Sequence, residues 1–105
     1  MNARRKGHDY ERQVRRELAK YFPEVMTSRA ADPEADCRGV DLVNTPGYAF
    51  QCKAVENSVN YPKILREMIT NSKKVILHKR DRKQYAIMEV NTFFELLNNN
   101  KHERD

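Results

Sequence analysis

The stretch that most restricts how this chain can fold is residues 39–55, GVDLVNTPGYAFQCKAV. It reads as strand, tight turn, strand. Residues 40–43 are a short strand-like run with β-branched Val at each end, and residues 48–55 form a longer extended segment. Asn44-Thr45-Pro46-Gly47 lies between them, where Pro fixes φ and Gly accepts a positive one. Strand alternation puts Tyr48, Phe50, Cys52 and Ala54 on one face, and Ala49, Gln51, Lys53 and Val55 on the other. The first set suits a core.

The second face carries an amide and an ammonium side by side, and the preceding strand offers Asp41. A carboxylate, an amide oxygen and a lysine brought together across a hairpin could hold a hard cation against a phosphate. The balance of charge agrees: a net +5 and a pI near 9.4 favour acidic partners, of which nucleic acid is the commonest. At 105 residues there is room for one domain with one sheet and a few helices. No apolar run is long enough to span a membrane, and the opening MNARRKGHDYER lacks the apolar segment of a signal peptide. The expected setting is therefore the cytoplasm. Cys37 and Cys52 are too few for a disulfide framework or a zinc site and read as small apolar residues.

Along the chain, residues 1–7 read as a basic tail with Arg4, Arg5 and Lys6. Asp9 caps a helix to about Tyr21, whose core face is Tyr10, Val14, Leu18 and Tyr21 or Phe22. Glu11 borders that face, within reach of Arg15 at i,i+4 spacing. Arg12, Arg15 and Arg16 decorate the other sides. Residues 25–30 suit a short strand carrying Ser28 and Arg29, and a polar loop with Asp32, Glu34 and Asp36 follows. Asp36 lies five residues before Asp41, at the mouth of the same strand. A second helix is expected from residue 61 or 62 to 73, with Ile64, Leu65, Met68 and Ile69 as its stripe. Two strands, 74–78 and 84–90, flank a basic turn containing Lys79, Arg80, Arg82 and Lys83. A last helix from residue 91 or 92 through 98 would bury Phe93, Phe94, Leu96 and Leu97, leaving a frayed tail at 99–105. His8, His78 and His102 suggest no nucleophile–base relay.

The order α-β-β-β-α-β-β-α, with Gly7 and Glu11 in the first helix, GVD at 39–41 and Gln-Cys-Lys at 51–53, resembles the PD-(D/E)XK nuclease superfamily. More narrowly it is similar to the small Holliday junction resolvases of archaeal and phage type, over roughly residues 6–90. The resemblance implies an α/β, restriction-endonuclease-like fold, a mixed central β-sheet flanked by helices. It implies that Glu11 is the helix-1 carboxylate, Asp41 the motif aspartate, Gln51 the position usually Glu or Asp, and Lys53 the motif lysine. Ser28 matches a serine some resolvases place after the first helix. Val40 stands where Pro is common, and Gln51 replaces a carboxylate, which predicts weaker metal binding.

Phosphodiester hydrolysis needs an activated water and relief of charge on the phosphorane, and Mg²⁺ or Mn²⁺ held by oxygens supplies both. Asp41 would be the central ligand, with the Gln51 amide oxygen and the Cys52 carbonyl beside it. Glu11 would approach from the helix, Asp36 would compensate for the missing charge at Gln51, and Lys53 would position the water or stabilise the transition state. Arg4, Arg5, Lys6, Arg12, Arg15, Arg16, Arg29, Lys79, Arg80, Arg82 and Lys83 are candidates for phosphate contacts. The expectation is a metal-dependent endonuclease for branched or double-stranded DNA, most plausibly a junction resolvase acting as a homodimer, with no membrane partner. Another nuclease of the superfamily, a DNA-binding module that has lost catalysis, and a protein-interaction domain stand as alternatives.

Overall fold

The computed structural model describes the backbone of residues 3–104 and the side chains of residues 3–100. Helix α1, Ala3–Leu18, is built from good helix formers and buries Tyr10 and Val14 one turn apart. It starts six residues ahead of Asp9, which corrects the reading of residues 1–7 as a tail. Arg4, Arg5 and Lys6 favour the helix, and Gly7 alone is too small an interruption to stop it. Met1 and Asn2 lie outside the described residues. Asp9 does not cap; it pairs with Arg12 at 2.9 Å on the exposed side.

The segment expected as a strand at 25–30 holds only β1, Met26–Thr27, before the chain turns into α2, Ser28–Ala31, and α3, Pro33–Cys37. The polar loop is thus mostly helical. Asp32 accepts hydrogen bonds from Glu34 N and Ala35 N, and Pro33 begins the helix where its missing N–H is harmless. Strand β2, Leu42–Val43, pairs antiparallel with β1. Strand β3, Tyr48–Lys53, pairs parallel with β4, Lys73–Arg80, which pairs antiparallel with β5, Lys83–Ile87. The intervening α4, Tyr61–Glu67, is capped by the Asn60 side chain on Lys63 N. Helix α5, Val90–Arg104, follows β5.

The chain is an α/β domain with mixed sheets and helices, and apart from α2 and α3 the element order is the expected one. The single central sheet is not formed: a two-stranded ladder and a three-stranded mixed ladder stand in its place. Nor do β2 and β3 make a regular hairpin. They meet through Asp41 N donating to Phe50 O at 2.8 Å, around a turn with Asn44 and Gly47 at positive φ.

Both faces of β3 are covered. Phe50 and Ala54, with Tyr48 and Cys52 beside them, pack with Tyr10, Val14, Val25, Leu42 and Val75 beneath α1. On the other face Ala49 and Ile76 pack with Leu65 and Met68 of the α4 region. The expected α4 stripe is cut short, because the helix ends at Glu67 and leaves Ile69 66% exposed. The expected burial of the last helix is also corrected. Phe93, Phe94 and Leu97 are about half exposed, since β5 is exposed along most of its length and offers α5 no core to cover. The segment 99–104 is helical rather than frayed, and Asp105 lies outside the described residues.

Candidate active site

Asp41 occupies the seam between β2 and β3. Its N–H donates to Phe50 O, and its carboxylate reaches forward to accept Cys52 N–H at 2.7 Å, so one side chain completes the ladder that the short β2 cannot. Cys52 N–H and C=O leave β3 by the same edge, so the Cys52 carbonyl opens toward Asp41. Ser28 holds the far side of the seam. It is fully buried, its N–H donates to Asp41 O at 2.8 Å, and its hydroxyl donates to Val40 O at 2.6 Å. That commitment makes Ser28 a positioning residue for Asp41.

Asp41 is only 8% exposed, and burial is the main reason its carboxyl is pushed up to about 7. The Cys52 N–H opposes that rise by stabilising the anion. Glu11 and Asp36 reinforce it with their charge, and Asp36 also offers a hydrogen bond that favours protonated Asp41. The Cys52 thiol is pushed up as well, by burial first and then by Asp41 and Glu11. It is therefore held as a neutral thiol, as expected for a packing residue. Carboxylates from α1 and α3 thus load the Asp41 carboxyl at the head of β2 with like charge, a charge pattern that a divalent cation relieves.

Glu11 is not bound to Arg15. Its carboxylate accepts from Arg29 Nη2 at 3.0 Å and Nε at 3.2 Å, and its side chain is only 12% exposed. The sequence placed both residues as candidates but gave no sign that they pair, because they lie on elements 18 residues apart. Gln51 and Lys53 are half-buried and, by alternation, share the β3 face that packs toward α4. A Cβ placed on Gly39, at φ +79°, would stand 3.4 Å from Gln51 Oε1, so Gly39 lets the GVD turn close over the amide. Among the described residues the Lys53 side chain makes no hydrogen bond or ion pair, while its backbone pairs with His78 in the β3–β4 ladder.

Asp41 with Glu11, Asp36 and the Cys52 backbone therefore forms one group, with Gln51 and Lys53 on the adjoining strand positions. Among the described residues no three His, Cys, Asp or Glu side chains meet as a ready-made metal cage. The donors that fit a hard cation are the Asp41 carboxylate, the Cys52 carbonyl, and the carboxylates whose charge already loads Asp41.

A polar network beyond the expected residues steadies the same end of the sheet. His78, fully buried, bonds through Nε2 to Val55 O at 2.6 Å and through Nδ1 to the Tyr61 hydroxyl at 2.7 Å. A carbonyl only accepts, so Nε2 carries the proton and Tyr61 donates to Nδ1. His78 pairs with Lys53 in the β3–β4 register. The one sequence signal for it was a histidine inside an apolar strand.

The basic candidates separate. Arg4, Arg5, Lys6, Arg12, Arg15 and Arg16 line exposed sides of α1, and Arg12, Arg15 and Arg16 border a groove of about 330 Å³ against Met26, Thr27 and Ala30. Lys6, Arg16 and Lys79 line a second groove of about 320 Å³ beside Tyr10 and Ala54. Arg29 is engaged with Glu11, while Arg80, Arg82 and Lys83 stand at the β4–β5 turn. No described helix is long and apolar enough to cross a membrane. Comparison of the chain with family models, with curated proteins and with solved structures finds no match.

Proposed function

We propose that this protein is a metal-dependent, structure-selective DNA endonuclease with a restriction-endonuclease-like fold, and that its substrate is branched DNA in the form of the four-way junction. The observation that carries the reading is Asp41: a buried carboxylate at a strand edge, raised to about 7 by burial with Glu11 and Asp36 beside it, in a protein of net charge +5. A cluster of acids kept in a basic domain is costly for folding alone and useful for holding a cation.

In this reading Asp41, the Cys52 carbonyl and the Gln51 amide oxygen would hold Mg²⁺ or Mn²⁺, with Asp36 or Glu11 adding charge. The ion when bound activates water and offsets charge on the phosphate. Lys53, its side chain free of internal partners, stabilises the charge that develops on the scissile phosphate. Arg29 holds Glu11 until substrate or cation competes for one of them. The basic grooves along α1 contact phosphates without reading sequence, as structure-selective cutting requires.

A four-way junction has two-fold symmetry, which invites a dimer with two identical sites. Val90, Phe93, Phe94 and Leu97, at helical spacing on α5, supply an exposed apolar stripe for a second copy. A cleft of about 630 Å³ lined by Tyr61, Leu65, Ile87 and Met88 extends it.

A second reading, a DNA-binding module without catalysis, draws support from Gln51 and from the engagement of Glu11 by Arg29. The deciding experiment compares a synthetic four-way junction with a linear duplex of matching sequence, each with Mg²⁺, Mn²⁺ or EDTA, beside Asp41→Asn. Symmetric, metal-dependent nicking of the junction alone, lost in the variant, is expected. Equal cutting of both substrates would remove the junction assignment. Salt-sensitive binding without cutting would favour the inactive module.

A further inference from the structure

The β4–β5 ribbon ends in a turn whose geometry and sequence disagree. Pairing runs to Arg80↔Lys83, leaving Asp81-Arg82 as a two-residue loop with φ of +53° and +63°. Such loops need left-handed backbone at both positions, which is why Asn-Gly is the usual choice. Asp tolerates the conformation; Arg, with its Cβ, is disfavoured there. The chain nevertheless holds it. Glu56, from the segment after β3, accepts Asp81 N–H at 3.0 Å and braces the tip.

The ribbon is also fixed to α1. Lys79 donates to Gln13 at 2.9 Å, and Gln84 meets the Tyr10 hydroxyl at 3.0 Å and Glu17 at 3.2 Å. Past these anchors β5 is exposed from Lys83 through Ala86. The last β3–β4 pair is Lys53↔His78, so β4 continues by Lys79 and Arg80, carrying the tip roughly 7 Å beyond Lys53. Four cations, Lys79, Arg80, Arg82 and Lys83, stand there against two acids, the bracing Glu56 and Asp81, which lies 4.0 Å from Arg80. A strained arginine at the apex of a braced, basic, two-stranded ribbon has no packing reason to be there.

We propose that the Asp81-Arg82 tip enters the major groove of a duplex DNA arm, with Arg82 in the groove and Arg80 and Lys83 on its phosphate walls. A two-stranded ribbon matches the width of the B-form major groove, whereas the deep, narrow major groove of A-form RNA excludes it. Lys6, Arg16 and Lys79 extend the same track along α1, so the tip sets how a duplex arm lies relative to Asp41. This rests on the nucleic-acid reading above but not on catalysis.

The test is binding in EDTA of the wild type, Arg82→Gly and Arg82→Lys to a DNA duplex and to an RNA duplex of the same sequence, with thermal melting of each protein. Gly suits the positive φ, so Arg82→Gly should melt higher while binding DNA about tenfold more weakly. Arg82→Lys should bind close to wild type, and RNA should bind more weakly than DNA to all three. Unchanged DNA affinity in Arg82→Gly, or equal affinity of the wild type for RNA and DNA, would overturn the groove contact. A wild type that binds neither duplex would overturn this contact, and one that also fails to bind a four-way DNA junction would overturn the nucleic-acid reading with it. The expected binding pattern in a protein that cuts nothing would support the contact while overturning the catalytic reading.

Discussion

Replacing Asp41 by Asn should make the metal-free protein more stable, although it removes the residue on which the proposed chemistry depends. The folded protein holds the Asp41 proton up to about pH 7, against a reference value of 3.8. Folding therefore favours protonation. The stability linked to this group is full below about pH 3.8, declines as pH rises, and is lost above about pH 7. A difference of about three pH units corresponds to a ceiling on the order of 4 kcal/mol. Relaxation and water entry reduce this, and about 2 kcal/mol is the expected gain for Asn at pH 8.

Asn suits the site as a neutral isostere. Its carbonyl oxygen can accept Cys52 N–H as the carboxylate does, and its amide can donate to Asp36 in place of the carboxyl proton. Urea denaturation of both proteins from pH 4 to pH 8 isolates the effect, since every other titrating group is shared. The difference should be near zero at pH 4, grow between, and level off above pH 7. Millimolar Mg²⁺ at pH 8 should then stabilise the wild type and leave Asp41→Asn unmoved. A variant less stable than wild type at pH 8, or a difference that does not change with pH, would refute the account of Asp41 as a carboxylate strained by burial and like charge.

Three further outcomes are expected. Gln51→Glu adds a third acid near Asp41 and should tighten Mg²⁺ several-fold in a calorimetric titration, with any preference for Mn²⁺ reduced; equal affinities would remove Gln51 from the ligand set. Arg29→Met leaves the Glu11 carboxylate, 12% exposed, without its cation and should cost about 1–2 kcal/mol in EDTA, part of it recovered by Mg²⁺. His78→Leu removes the partner of the part-buried Val55 carbonyl and Tyr61 hydroxyl and should lower stability by about 1–3 kcal/mol, read from the urea midpoint.

What the sequence made legible were features written in local patterns. The β3 alternation was correct, and Phe50, Cys52 and Ala54 lie on the α1 side because strand geometry leaves no other choice. Tyr10 and Val14 were found by helical spacing for the same reason. Features that depend on distant partners were not legible. Phe93, Phe94 and Leu97 carry a core-like spacing, yet a stripe says only that a surface needs covering and not that this chain covers it. The Glu11–Arg29 pair joins elements with no shared periodicity, whereas sequence spacing alone points only to the i,i+4 neighbour Arg15.

The seam at Asp41 explains why the site itself was half legible. Local chemistry gave the turn, the aspartate and the alternating Gln51 and Lys53, and an ordinary hairpin was the simplest way to connect them. The chain instead spends only Leu42 and Val43 on β2 and pairs them with β1, so β3 lacks a full neighbour on that edge. The Asp41 carboxylate fills the gap by accepting Cys52 N–H, and Ser28 fixes the backbone behind it. A longer β2 would have satisfied that amide with a carbonyl and turned the carboxylate outward. The truncation of one strand is thus what draws Asp41 into the seam and buries it where the charges of Glu11 and Asp36 bear on it.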